Sequence, residues 1–150
     1  MSQTKSGGGI PPFVNNTMKF ILRSPLHGMV SKSILLFTFT GRKSGKTYTT
    51  PVCYSQYGNQ VRVFTHASWW KNLRGDIPVT LRIQGQELQG LPEPIADDKK
   101  AVAAGLMEHL RHVPSDARYY GVTFDDNKNP RAEEVEKGAQ TVVMIRIGLC

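Results

Sequence analysis

Apolar residues near the start of the chain repeat at helical spacing. Val14, Met18, Ile21 and Leu22 form one stripe, opened by Pro11-Pro12 and closed by Ser24-Pro25, as proline rules dictate. A helix with a single apolar stripe either packs on its domain or touches a membrane surface, and packing is the commoner outcome. From Ser33 the period shortens to that of strands. Ile34 to Thr40 is rich in β-branched and aromatic residues and ends at Gly41; Thr47 to Gln56 is the next candidate strand. Gly58-Asn59 reads as a hairpin turn because both residues tolerate positive φ. Val61 and Val63 then alternate with Arg62 and Phe64 in a strand reaching His66. Ser68 to Arg74 reads as a short helix, with Ser68 as its cap and Gly75 placed to end it. Val79 to Gln84 sets Val79, Leu81 and Ile83 on one face, and Gln86 to Ile95 is its partner strand.

Asp97-Asp98-Lys99-Lys100 opens a longer helix, with acids where the helix dipole favours them. Its apolar face is Val102, Leu106, Met107 and Leu110, and Pro114 lies just beyond its end. A helical turn over Asp116 to Tyr120, a loop over Phe124 to Pro130, a short helix over Arg131 to Lys137 and a last strand over Thr141 to Ile147 complete the reading. Strands and helices do not alternate, so a doubly wound parallel sheet is excluded. The expected class is mainly β with flanking helices (α+β), its strands mostly antiparallel and closed into a small barrel. Residues 1–10, polar and glycine-rich, are expected to be a disordered tail, and 11–150 a single domain.

Composition narrows the function classes. Hydrophobic residues make up 39% and charged residues 21% of 150, which is ordinary for a globular protein. The longest apolar runs, such as Ser33 to Phe39, are too short to cross a bilayer, and no signal-peptide pattern opens the chain. Cys53 and Cys150 suggest neither a disulfide framework nor a metal site. Cys53 reads as a small core residue, and the cytoplasm is the expected compartment. Net charge is +7, but residues 1–91 carry +9 and residues 92–150 carry −2. The basic excess therefore belongs to the first part of the chain, where it attracts phosphates, carboxylate tails or nucleic acid.

Three of those cations fall within Gly41-Arg42-Lys43-Ser44-Gly45-Lys46. Glycines let backbone N–H groups approach an anion, Arg42 can fork across two phosphate oxygens, and Lys43 and Lys46 act as point charges. The loop is no P-loop: three residues separate its glycines where four are needed, and Tyr48-Thr49-Thr50-Pro51-Val52 is extended rather than helical. A charged hairpin turn is the plain alternative. Trp69 and Trp70, adjacent on a helix, point about 100° apart, so one is expected in the core and the other at a cleft or half-exposed. Asn72 suits a cofactor headgroup or a neighbouring backbone equally. His66, Tyr48, Tyr54, Tyr119 and Tyr120 are the available proton donors. His109 and His112 lie i, i+3 and could pair around zinc, but no third ligand is evident and no metal is expected.

The run from Leu35 to Lys46, followed by Thr50-Pro51 and Tyr54, resembles the deazaflavin-dependent nitroreductase family of split-β-barrel flavin and deazaflavin oxidoreductases. Trp69-Trp70-Lys71-Asn72-Leu73 falls where that family also carries a Trp, an Asn and a Leu. The resemblance runs from about Phe13 to the final strand and is specific in these two blocks. It implies a split β-barrel and coenzyme F(420) as hydride carrier. It would put Arg42, Lys43, Ser44 and Gly45, with Lys46 beside them, around the cofactor phosphate and acidic tail. Thr50 and Pro51 would line the deazaflavin ring, with Trp69 nearby, and Asn72 would hold a polar part of the cofactor. Tyr119 resembles a substrate-side tyrosine, and His66 is a second candidate for that side. Two departures bear on the ring end: Phe64 to Ser68 runs straight into Trp69 without the family's glycine-rich stretch, and Tyr48 replaces a common basic residue.

The leading expectation is thus a reductase passing hydride from reduced F(420) to a quinone, nitro compound or other conjugated acceptor. An FMN-dependent reductase of the same fold is the alternative, since such barrels set a basic loop on one phosphate. A non-catalytic flavin- or deazaflavin-binding protein is a further one. Nucleic-acid binding is disfavoured because the loop lacks interleaved basic and aromatic residues. The expected partner is a small-molecule electron acceptor. A homodimer and a peripheral membrane contact through the first helix are the other partner readings.

Overall fold

The computed structural model describes residues 34–150; the expected tail, the first helix and the domain start at residue 11 lie outside the described residues. Six strands form a closed antiparallel barrel: β1 (Ile34–Thr40), β2 (Thr47–Tyr57), β3 (Gln60–Thr65), β4 (Val79–Ile83), β5 (Gln86–Ile95) and β6 (Val143–Leu149). Around the barrel the order is β1-β2-β3-β6-β5-β4, with β4 pairing back onto β1 through Leu36↔Arg82 to Thr38↔Thr80. Closure leaves no free sheet edge, which removes the unpaired backbone groups an open sheet would expose.

Strand alternation fills the barrel. Leu35, Phe37 and Phe39 of β1 point inward with Val52 and Tyr54 of β2, Val61 and Val63 of β3, Leu81 of β4 and Ile145 and Ile147 of β6. The opposite faces of β3 and β6 contribute Phe64 and Met144 to a second core, outside the barrel. That core is covered by α1 (Lys99–His112) and α2 (Ala132–Ala139), with Val102, Leu106, Leu110 and Val135 fully or almost fully buried. α1 starts where the carboxylate of Asp98 accepts a hydrogen bond from the Ala101 N–H at 3.1 Å, so the acids lie at the cap rather than in the first turn. A 3-10 helix, Pro114–Tyr120, links α1 to the loop before α2 and ends at Gly121 in the left-handed region.

Several local expectations need correction. The segment after β3 is a five-residue 3-10 helix, Ser68–Asn72, and Ser68 does not cap it. The Thr65 hydroxyl instead accepts from the Ala67 N–H at 3.0 Å, fixing the entry from the strand end. Gly75 does not stop the helix either, because Leu73 is already extended at φ −83°, ψ 138°. The hairpin turn expected at Gly58-Asn59 does form, joining Tyr57 to its partner Gln60, with positive φ at Gly58 alone, 61°, the pattern of a type II′ turn. The β4–β5 hairpin uses positive φ at both Gln84 and Gly85.

Candidate functional site

β1 and β2 pair down to Thr40↔Thr47, and the basic loop is the connection between them. Its backbone closes on itself: the Gly41 N–H donates to the Lys46 carbonyl at 2.8 Å and the Gly45 N–H to the Gly41 carbonyl at 2.9 Å. Gly45 sits at φ +70°, where a side chain would strain the turn. The Ser44 hydroxyl accepts from the Lys46 N–H at 3.2 Å and lies 3.4 Å from the Tyr48 hydroxyl. Tyr48 itself stacks on Phe39, so the residue standing in place of a cation supports the loop from below. The side chains of Arg42, Lys43 and Lys46 are exposed, and among the described residues none of them has a carboxylate partner. Three uncompensated cations in one turn repel each other, and a polyanion relieves that repulsion.

Asn72 holds this loop in place. Its carbonyl oxygen accepts from the Arg42 N–H at 3.1 Å, and its amide donates to the Trp69 carbonyl at 2.9 Å. Asn72 and Arg42 also border a cavity of about 300 Å³ together with Leu73, Arg74, Ile77 and Pro78. Trp69 is 3% exposed and stacks on Phe39 at 5.2 Å, so its ring belongs to the barrel core. Trp70 is half-buried and packs against the same core.

A cavity of about 310 Å³ opens where β2, the end of β3 and both 3-10 helices meet. Thr50, Pro51, Cys53, Trp69, Tyr119 and Tyr120 line it, with His66 at the rim. The exposed His66 ring stacks on Tyr120 at 5.8 Å and 23° between planes. Tyr119 is 56% exposed, and the Arg118 guanidinium donates to its hydroxyl at 3.1 Å. Imidazole and phenol thus face one space, an arrangement that can bind a flat conjugated molecule and exchange protons with it.

Behind one wall lies a polar cluster in an otherwise apolar layer. His109 Nε2 is 2.8 Å from Asp116 Oδ2, and both residues are buried. The ring donates its proton to the carboxylate when neutral, and His109 Nδ1 has no partner among the described residues. Burial, and then the Asp116 carboxylate, push the Cys53 thiol up to about 12, against a smaller opposing pull from Arg118. Tyr120 is likewise raised, by burial first and then by Cys53, Asp116 and Tyr119.

Of the residues singled out from sequence, the structure brings Thr50, Pro51, Trp69, His66 and Tyr119 to one cavity, and Arg42 and Asn72 to the other. Lys43, Ser44, Gly45 and Lys46 stay on the exposed loop. Cys53 is corrected from a core residue to a half-buried cavity residue. Its place two positions after Pro51 on one strand was a usable signal, because residues i and i+2 share a face. His109 and His112 take separate partners: His112 Nδ1 bonds the Glu108 carbonyl, and its ring packs edge-on to Tyr57. Among the described residues no group of His, Cys, Asp or Glu is arranged to hold a metal ion. None of the described helices is long and apolar enough to cross a membrane.

The sequence profile of the F(420)H(2)-dependent quinone reductase family matches residues 23–123. No curated protein matches the chain in sequence. Among solved structures, a conserved hypothetical protein of Mycobacterium tuberculosis is similar at 15% identity and a TM-score of 0.53, covering 97% of this chain and 85% of that one. An FAD-binding protein of Mesorhizobium loti is similar at 15% identity and a TM-score of 0.50, covering 85% and 90%. A chain described as a domain-swapped dimer is similar at 17% identity and a TM-score of 0.50, covering 90% and 96%. At these identities the likenesses establish a shared fold.

Proposed function

The chain belongs to the F(420)H(2)-dependent quinone reductase family, and from that premise we propose that it carries hydride from reduced F(420) to a quinone, nitro compound or similar conjugated acceptor in the Thr50–Tyr120 cavity. One observation supports this reading above others: the cations Arg42, Lys43 and Lys46, without a carboxylate partner among the described residues, sit in the loop that leads into β2, and the ring-sized cavity opens on that same strand. From Lys46 to Thr50 is about 14 Å of extended β2, so a ring joined to an anionic tail can occupy both ends at once.

Each side chain has a task in this scheme. Arg42 forks across phosphate oxygens, and Lys43 and Lys46 attract the acidic tail. Asn72 keeps the loop presented. Thr50 and Pro51 form the floor for the ring, and Trp69 closes the site against the barrel core. When bound, the deazaflavin supplies the hydride, and the protein supplies orientation and proton traffic. His66 and Tyr119, on the open side, bind the acceptor and deliver a proton to its reduced oxygen.

Titration of the purified protein with F(420) and with FMN, followed by fluorescence quenching, tests the reading. Saturable F(420) binding that is lost when Arg42→Ala and Lys43→Ala are combined supports it. A protein that takes up FMN in preference, with no affinity for F(420), would overturn it. Stopped-flow oxidation of the reduced cofactor by menadione then separates an enzyme from a binder.

A further inference from the structure

Tyr119 and Tyr120 reach the proposed acceptor cavity from the 3-10 helix Pro114–Tyr120. That run is seven residues long, in a conformation that seldom persists beyond about three or four. Its buried residues are Asp116 and Ala117. Ala117 offers a single methyl group, so Asp116 supplies the directional anchor. Its carboxylate accepts from His109 Nε2 of α1 at 2.8 Å, with both side chains out of solvent.

We propose that the buried His109–Asp116 pair sets the positions of Tyr119 and Tyr120, and thereby decides which acceptors the cavity takes. Both are positioning residues: neither lines the cavity, and they act through the two tyrosines and His66. The role in acceptor choice rests on the reading that conjugated acceptors occupy this cavity.

Packed rings run without a break from the pair to the cavity. The His109 ring lies 5.2 Å from Phe64 between centroids, Phe64 meets Tyr120 edge-on at 6.4 Å, and Tyr120 stacks on His66 at 5.8 Å. Phe64, Tyr120 and His66 all line the cavity. The backbone adds a second link. The Asp116 N–H donates to the Val113 carbonyl at 3.0 Å and the Val122 N–H to the Ala117 carbonyl at 3.1 Å, so fixing Asp116 fixes the turn that carries both tyrosines. As mere filling the pair would be a poor choice. It stands beside Phe64 of the outer apolar core, and His109 Nδ1 is buried with no partner among the described residues. Apolar side chains of similar volume fill such a place without loss of stability, whereas an ion pair holds its two ends in one direction.

The wall and the acceptor can be read separately in the full-length protein. Hydrogen exchange over residues 114–122, without ligand, follows the wall. Quenching of tryptophan fluorescence by menadione follows the acceptor, since Trp69 lines the cavity. Asp116→Ala should speed exchange of the Val122 amide roughly ten- to a hundredfold, the factor that corresponds to losing a hydrogen bond to a charged group. Menadione binding should weaken with it. His109→Gln, whose side-chain amide donates from where Nε2 stands, should keep both near native.

His109→Leu combined with Asp116→Leu removes the buried polar pair and its orphan nitrogen together. This double variant should resist urea as well as the native protein, yet show fast exchange across the segment and weak menadione binding. Stability kept with orientation lost is a result that core filling alone would not give. A double variant that loses stability, or one that keeps native exchange and native menadione affinity, overturns the proposal. So does a folded Asp116→Ala with both readouts unaltered; should that variant not fold, the double variant and His109→Gln decide. Native protein that binds no menadione would sink the acceptor reading, and with it the role in acceptor choice. Neither readout needs F(420) or turnover, so their failure is distinct from failure of cofactor binding.

Discussion

Asn72→Ala separates two roles that one side chain could play at this site: contact with the cofactor, or tension on the loop that contacts it. The substitution deletes two hydrogen bonds, Arg42 N–H to Oδ1 at 3.1 Å and Nδ2 to the Trp69 carbonyl at 2.9 Å. A net hydrogen bond contributes about 0.5–1.5 kcal/mol. The Arg42 bond is exposed and belongs at the low end, while the Trp69 bond is partly buried. Global stability should thus fall by about 1–2 kcal/mol, read as a urea midpoint shift at constant slope. The loop then spends part of its time released, and re-ordering it on binding weakens F(420) affinity by about five- to tenfold. The deciding measurement is hydrogen exchange at the Arg42 amide without ligand. If Asn72 acts through the loop, exchange of that amide accelerates in Asn72→Ala, and Asn72→Asp, which keeps the acceptor, restores protection. Weakened binding with unaltered Arg42 exchange would refute the reasoning and make Asn72 a direct cofactor ligand.

Other consequences can be measured alongside. Because the loop cations are exposed, F(420) affinity should decline steadily as salt rises from 0.05 to 0.5 M, on the scale of a roughly 10 Å screening length at 0.1 M; the slope should flatten in Arg42→Ala combined with Lys43→Ala. A Cβ at Gly138 would sit 2.8 Å from the Tyr120 carbonyl oxygen, so Gly138→Ala should cost about 1–3 kcal/mol and disturb the His66–Tyr120 stack, seen in thermal melting and in the near-ultraviolet spectrum. The Glu134 carboxylate is held below its ordinary range by hydrogen bonds from the Thr123 backbone and then the Thr123 hydroxyl. Its stabilising contribution is therefore present above the unfolded carboxylate pKa and fades as pH falls through the lower folded value. Glu134→Gln should flatten the acid limb of the stability–pH curve, with the loss of stability largest at neutral pH and fading in acid, where the native carboxyl is itself protonated.

The strands were legible because each is either cleanly alternating or closed by a turn residue, and barrel closure follows from five consecutive strands and a returning sixth. The basic loop was legible too, since cations and glycines between two strands have few other uses. What the residues did not reveal depends on encounters between distant segments. Cys53 and Tyr120 line one cavity but are far apart in sequence, and nothing local to either marks the other. His109 reads as part of a helix's polar fringe until the chain reverses at Pro114 and carries Asp116 back against it. Trp69-Trp70 divide as their spacing suggests: Trp69 enters the barrel core, and Trp70 stays half-buried against it.

The two cores share one sheet wall, with the barrel filling on one side and the helices on the other. The proposed acceptor cavity borders the outer side, where Tyr119 and Tyr120 of the short segment Pro114–Tyr120 line it. For protein engineering this is a favourable division. Residues of that segment, apart from buried Asp116 and Ala117, can be varied to reshape which acceptors enter while the barrel keeps its own filling. A library drawn across the exposed positions Pro114, Ser115, Arg118 and Tyr119 would sample substrate range, whereas one drawn across β1 or β4 would mostly sample unfolded chains.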